Sequence, residues 1–504
     1  MTLMNRRTGI MLIALLTCTF YTGFSQAGKP RLVVLADMGN EKDEEQQITH
    51  LMLYLNEFDL EGLVAVTGKF LRPESKDPYK QMLHPELFHS IIDAYSLVVD
   101  NLKKHAEGWP EPGYLHSIVF EGQKGYGVAA TGKGMSSGGS RHLLKLLNKD
   151  DPRPLYIVVN AGSNTLAQAL IDYRASHSQA EVDAVVAKIR VYENGAQDDA
   201  GAWICHQFPA IHWVRSNYQT YCYAGPGGDG GANNKGDRKN LGPHTWEPYA
   251  YSSIGQHQWA LEHIIGNHGP LGVKYPIRQF PKGGIGFLEG GGTIPWLCLI
   301  HQGLSDIDNP HWGGWSGRFT REKAKNVWSK HNSVNKDEKN YTPFALYTEA
   351  PDSWTDPRSG EAYHKSIYAP VWRWRRAFFN DVKGRMDWCK NEFDQANHAP
   401  KISINDDASE KIHIYETKKG ASVVLDASAS TDPDGDKLNF KWWQYPEAGT
   451  YDGELSIPDP SNPVCEVLIP KDAKGKEIHL ILEVNDDNKI VSMYDYRRIV
   501  FVVE

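Results

Sequence analysis

An α/β domain built on a mostly parallel sheet with helices on both faces, followed by an all-β sandwich, is the architecture that the sequence predicts. Two observations carry it. From Arg31 onward, short and continuous apolar runs alternate with segments of helical period, as in strands buried on both faces. Near residues 396–400 the pattern changes to apolar and polar residues alternating with period two, as in a half-buried antiparallel sheet.

The elements follow in order. Residues 31–37 (RLVVLAD) read as a strand ending in an acid, and the next segment has helical spacing through Ile48, Leu51, Met52 and Leu55. LEGLVAVTG is the second strand, completing a βαβ unit. PLYIVVNAGS followed by NTLAQALIDYRA repeats the unit, and KIRVYENGAQ opens another. In sheets of this kind ligands sit beyond the C-terminal strand ends, so the polar residues just after each strand are the candidates for function. Two glycine-rich stretches, residues 222–240 and 282–292, have neither a phosphate-loop pattern nor a strand–GxGxxG–helix context and read as long loops. ASVVLDASAS, LNFKWWQY, KEIHLILEVND and RRIVFVV are the strands of an Ig-like sandwich of about 100 residues. Its acid-rich turn at Asp432, Asp434 and Asp436 reads as a solvated hairpin turn, although three such carboxylates could also hold calcium. The predicted organisation is a signal peptide over 1–27, the α/β domain over 28–395 and the sandwich over 396–504.

Composition excludes some partners. The 504 residues carry a formal charge of −8 with no basic cluster, which excludes a protein that binds nucleic acid through its phosphates. Arg6 and Arg7 precede an apolar run over residues 10–24, and Ser25-Gln26-Ala27 fits a signal-peptidase site, so a periplasmic or extracellular location is expected. The run falls short of the roughly 20 apolar residues of a spanning helix, and Thr17 disfavours lipidation at Cys18. Five cysteines follow the leader without a C-x-x-C pair; an oxidising compartment permits one disulfide, such as Cys205 to Cys222, but no pattern calls for it. Fifteen Trp and 24 Tyr suit a protein that grips sugar rings, and equally suit ordinary core packing.

The chemistry concentrates at the end of the first strand, where residues 37–45 (DMGNEKDEE) gather Asp37, Glu41, Asp43, Glu44 and Glu45. A hard divalent cation would offset their repulsion, and acids at a helix start are also stabilised by the dipole without any metal. VLADMGNEKDE followed by NEFDLEGLVAVTG resembles the opening of nucleoside hydrolases. More closely, the chain from about residue 31 to 504 resembles secreted bacterial cellulose-binding proteins with a nucleoside-hydrolase-like domain and a C-terminal β-sandwich, through RPLYIVVNAGSNTLAQAL, NGAQDDAGAWI, FLEGGGTIPWL, HWGGWSGR, RMDWC and LDASASTDPDGDKLNFKWWQYPEAGTY.

The resemblance implies a calcium ion held by Asp37, Asp43, Glu44, the backbone carbonyl of Thr165 and, late in the chain, Glu289, with Asp37 also acting as general base toward calcium-bound water. Departures from the nucleoside hydrolase pattern are Leu35 in place of its first Asp, two extra residues before the acid pair, Glu44 where Asp is usual, and no His before Glu289. Hydrolysis of a glycosidic bond needs a base, an acid or stabiliser, and groups that hold the ring. Glu41 is the second candidate catalytic carboxylate. Asn40, Asn194, Gln197, Asp198 and Asp199 are candidates for sugar hydroxyls, with loop ordering as the alternative for the last three. Trp312 and Trp315 could stack on pyranose faces beside Arg318, or pin their loop to the core. His206 and His244 are weaker candidates for the acid. The function expected is glycoside hydrolysis of a polysaccharide or oligosaccharide, the rivals being a non-catalytic polysaccharide-binding protein and a nucleoside hydrolase, the latter disfavoured by export and by Leu35.

Overall fold

The computed structural model describes residues 28–223, 258–277, 291–300, 303–357 and 360–504. The leader, His244 and Glu289 lie outside the described residues.

Eight strands form the large sheet: β1 (Arg31–Ala36), β2 (Asp59–Ala65), β3 (Val119–Glu121), β4 (Leu155–Val159), β5 (Ile189–Asn194), β6 (His212–Ser216), β7 (Ala324–Lys325) and β8 (Ala345–Thr348). Their order is β3-β2-β1-β4-β5-β6-β8-β7, and every pairing is parallel except that of β7 with β8. The apolar runs have their cause here. Along β1, Leu32, Val34 and Ala36 enter one hydrophobic cluster while Val33 and Leu35 enter the other, so both faces are buried and alternation disappears. One face is covered by helices Gly138–Leu147, Asn164–Ser176, Gln179–Val186 and Ala200–Gln207, the other by Lys42–Met52, Pro85–Ser96 and Arg375–Trp388.

A short hairpin, β9 (Asp352–Thr355) and β10 (Ala362–Ser366), follows. The C-terminal part has a four-stranded sheet in the order β11-β16-β15-β13 and a two-stranded one of β12 and β14, from β11 (His413–Thr417), β12 (Ser422–Asp426), β13 (Leu438–Gln444), β14 (Val464–Leu468), β15 (Glu477–Asp486) and β16 (Tyr494–Val503). Leu425, Trp442, Val467, Leu480 and Phe501 belong to the separate core of this part. The two parts share buried surface. Arg498 of β16 donates to the carbonyls of Leu304 at 2.7 Å and Gly313 at 2.9 Å, and Tyr445 donates to Asp352 at 2.6 Å. The five described cysteines are free, including buried Cys205 and Cys222. Among the described residues no helix is long and apolar enough to cross a membrane.

Candidate functional site

The parallel strands end on one edge, and the polar residues that follow them converge there. Asp37, the residue after β1, is 1% exposed. Its Oδ2 accepts from Asn40 Nδ2 at 2.9 Å, and the buried Glu44 carboxyl shares a hydrogen bond with it. Burial, with the Glu41 charge adding to it and hydrogen bonds from Glu44 and Asn40 opposing, pushes Asp37 up to about 7. Glu44 lies in the first turn of helix Lys42–Met52 and accepts from Gln47 Nε2 at 3.0 Å. Its own burial and the charges of Asp37 and Asp43 hold it well above the usual carboxylate range.

Further strand ends close the site. After β5, Gly195 and Ala196 have φ of 71° and 49°, a left-handed pair that turns the chain sharply. Gln197 then donates to the carbonyl of Asn160, just past β4, at 3.2 Å, and accepts from the amide of Lys69, past β2, at 3.2 Å. A Cβ on Gly68 would stand 2.8 Å from Asp37 Oδ2 and 2.7 Å from Gln197 Oε1, so these side chains meet over a glycine backbone that leaves them room. Both side-chain atoms of fully buried Asn160 lack partners, as does Gln47 Oε1. A Cβ on Gly292 would meet Asn160 Nδ2 at 2.8 Å and Gln47 Cγ at 2.9 Å, which brings these two amides to one spot.

The unpaired amide oxygens of Gln47 and Asn160, beside the buried carboxyl pair of Asp37 and Glu44, are hard donors of the kind calcium takes, so these residues fit a cation. The fit differs from the expected ligand set. Among the described residues the carboxylates whose oxygens all come within 4.8 Å of one another are Asp432, Asp434 and Asp436, on the sandwich turn, and not Asp37, Asp43 and Glu44. Thr165 sits in the first turn of helix Asn164–Ser176, where its hydroxyl accepts from the Gln123 amide at 3.0 Å. Leu35 is fully buried in the core of the opposite face, so the position that carries the first Asp of nucleoside hydrolases is here part of the packing.

The other sequence candidates divide. Glu41 and Asp43 are half-buried at the start of the helix beside Asp37. Asn194 is buried and accepts from Thr220 Oγ1 at 2.8 Å. Asp198 has no exposure, and its two oxygens accept from Ser163 N and Oγ, Asn164 N and Ala200 N at 2.9–3.2 Å, so it orders two helix starts. Asp199 accepts from the Val128 amide at 2.9 Å and orders the neighbouring loop. Trp312 and Trp315 are 7% and 1% exposed. Trp312 packs edge-on against His479 and Trp315 against Phe378 and Tyr496, where they pin their loop to the C-terminal part and offer no face to a sugar. Arg318 is buried in an ion pair with Asp352 at 2.6 Å. His206 is exposed on the far end of helix Ala200–Gln207 and bonds the carbonyl of Pro343.

Sequence reasoning missed Asn160, Gly68 and Lys330. Asn160 follows a recognised strand and could have been read by the same rule as Asp37. Lys330 carried no signal. Its ammonium lies 3.1 Å from the Tyr221 ring centroid, and burial pushes it down to about 7 against the pull of Glu349, Asp43 and Glu41.

An α/β sheet with an acid-bearing first strand end, joined to a C-terminal β-sandwich, defines a nucleoside hydrolase-like protein of two parts. Residues 31–319 match the family described as cellulose-binding Sde182, nucleoside hydrolase-like domain, and residues 422–503 match the C-terminal domain of cellulose-binding protein Sde0182. The chain belongs to this family. A solved structure of a nucleoside hydrolase-related protein from Saccharophagus degradans, described as associated with carbohydrate metabolism, is 33% identical with a TM-score of 0.78, covering 95% of this chain and 100% of that one. An endo-fucoidan hydrolase of glycoside hydrolase family 107 aligns at 11% identity over 94% of this chain and 67% of its own, with a TM-score of 0.18. No curated protein matches the chain.

Proposed function

We propose that the protein is an exported glycan-active hydrolase whose base is Asp37. The observation that supports this best is the buried carboxyl pair of Asp37 and Glu44 at the C-terminal edge of a parallel sheet, with Asp37 pushed up to about 7. A carboxylate near neutrality takes a proton from water far better than an ordinary Asp while remaining partly ionised. Asn40 orients it, and the Glu41 charge helps set its basicity. Gln197 and the unpaired amide of Asn160 hold sugar hydroxyls. As water adds to the anomeric carbon and the glycosidic C–O bond breaks, Asp37 receives the water's proton and the departing oxygen needs one in return. Lys330, an ammonium pushed down to about 7, supplies it in this reading. A calcium ion held by Asp37, Glu44, Gln47 and Asn160 would polarise water and bind vicinal hydroxyls.

Non-catalytic polysaccharide binding is the second reading, favoured by the failure of Asp37, Asp43 and Glu44 to converge as a ligand triple. Incubating purified protein with a panel of polysaccharides and oligosaccharides, inosine and uridine, and measuring reducing ends and free base, separates the readings. Reducing ends released by wild type and abolished in Asp37→Ala support hydrolysis. Retention on a polysaccharide with no release from any substrate supports binding alone, and efficient base release would make the protein a nucleosidase.

A further inference from the structure

The C-terminal edge carries a second concavity beyond Asp37. Where β6 and β8 end, an open groove of about 320 Å³ is lined by Asn217, Tyr218, Thr348, Glu349, Ile367 and Tyr368. That size lies within the roughly 300–1,000 Å³ typical of small-molecule sites. Its walls combine the two surfaces that a pyranose ring presents for recognition. Tyr218 is 37% exposed and, with Tyr368 and Ile367, offers an apolar face for ring C–H groups. Glu349 is held in place because its Oε1 takes hydrogen bonds from Ser216 Oγ at 2.7 Å and from the amides of Tyr218 and Gln219 at 2.6 Å, which leaves Oε2 as its acceptor for hydroxyls. A carboxylate pinned three times is pre-organised, which lowers the entropy lost on binding.

Lys330 lies between the groove and the end of β5. The backbone amide of Lys330 donates to Asn217 Oδ1 at 3.1 Å on the groove side. Its side chain passes toward the β5 end, where Lys330 Cε would lie 3.3 Å from a Cβ on Gly195. In the sheet order β1-β4-β5-β6-β8, three to four strand spacings separate Asp37 from the groove. At about 4.8 Å per spacing this is roughly 14–19 Å, more than one sugar ring spans.

We infer that this groove is a second sugar-binding subsite of the same cleft, and that the ligand is a glycan chain long enough to reach from the β1 end to the β8 end rather than a monosaccharide or a nucleoside. This rests on the glycan reading of the Asp37 centre. The two can fail separately in one experiment: calorimetric titration of the full chain with cellohexaose, for wild type, Tyr218→Ala, Ile367→Trp and Asp37→Asn, with melting temperatures to show that each is folded. Ile367 lies outside any strand and an indole there fills the groove, so the second variant guards against a local effect of the first. Wild-type binding weakened at least about tenfold by each of the three substitutions is the expected result. Weakening by Asp37→Asn alone overturns the subsite and leaves the Asp37 reading standing. Weakening by the groove variants alone upholds the groove and overturns Asp37 as part of the same cleft. No binding of cellohexaose by wild type overturns both for a β-linked glucose chain.

Discussion

Asn40 donates to Asp37 Oδ2 at 2.9 Å while its own oxygen accepts from Lys80 Nζ at 3.0 Å, so the carboxylate is tied through one amide to a cation. A hydrogen bond given to a carboxylate favours its charged form. Asn40→Leu keeps the bulk and removes the donor, so Asp37 should titrate roughly half to one pH unit higher than in wild type, in line with a hydrogen bond of about 1 kcal/mol. Carboxyl ¹³C titration of Asp37 reads this directly. The rising limb of any glycan cleavage against pH should move by the same amount, since only ionised Asp37 accepts a proton.

Calcium should stabilise the protein more at alkaline than at acidic pH. Asp37 is raised from the ordinary 3.8 to about 7, so the fold holds its proton more tightly than the unfolded chain does. Its contribution to stability is therefore complete below about 4 and is lost as pH rises through about 7. Glu44 is raised in the same direction. A cation that binds the ionised pair relieves this penalty and gains affinity as the pair loses its protons. Thermal melts with excess calcium and with EDTA should coincide near pH 5 and separate by several degrees near pH 8, a ligand at 100 times its Kd giving about 2.7 kcal/mol. Coincident melts at both pH values would remove the metal from this site.

Asp198→Ala should act on stability rather than on ligand binding. Its carboxylate takes hydrogen bonds from the Ser163, Asn164 and Ala200 amides and the Ser163 hydroxyl, all buried. Removing it leaves those donors without partners at two helix starts, a cost of about 2–4 kcal/mol. Urea unfolding should show a lower midpoint with an unchanged slope.

Trp315→Ala makes the same point for the aromatic loop. The indole packs edge-on against Phe378 of helix Arg375–Trp388 and Tyr496 of β16, between the two parts. Its loss should cost about 3–5 kcal/mol. Glycan affinity measured well below the melting temperature should stay within about twofold of wild type, whereas a ring that stacked on sugar would lose far more.

These cases show what the sequence made legible and why. Strands buried on both faces of a parallel sheet must be apolar throughout, so β1, β2, β4 and β5 were readable as runs, and the polar residue ending such a run, Asp37, marked the edge where ligands bind. β3 has three residues and β7 has two, too few to leave a period. Residue type carried no direction: an indole at Trp315 is equally suited to a sugar or a core, and only the packing of β16 against its loop decides between them. Lys330 reaches the site from a connection nearly 300 positions beyond Asp37, and no local pattern announces such a convergence.

Gly68 offers the sharpest separation of site from scaffold. It has no side chain, and a Cβ there would stand 2.7 Å from Gln197 Oε1 and 2.8 Å from Asp37 Oδ2, nearer than real Cβ contacts allow. Its backbone is not in the left-handed region, so alanine is conformationally permitted and adds no strain of its own. The methyl group must instead displace the two polar side chains that meet above it. Either the Gln197 hydrogen bond to the Lys69 amide or the position of Asp37 is given up, while the apolar clusters on both faces of the sheet remain intact. Gly68→Ala should therefore weaken glycan binding or cleavage by at least about tenfold, a loss of about 1.4 kcal/mol, while its melting temperature stays within a few degrees of wild type. Calorimetry and thermal melts on the same preparation test it. Unchanged binding in a folded Gly68→Ala variant would show that ligand does not engage the meeting point of Asp37 and Gln197.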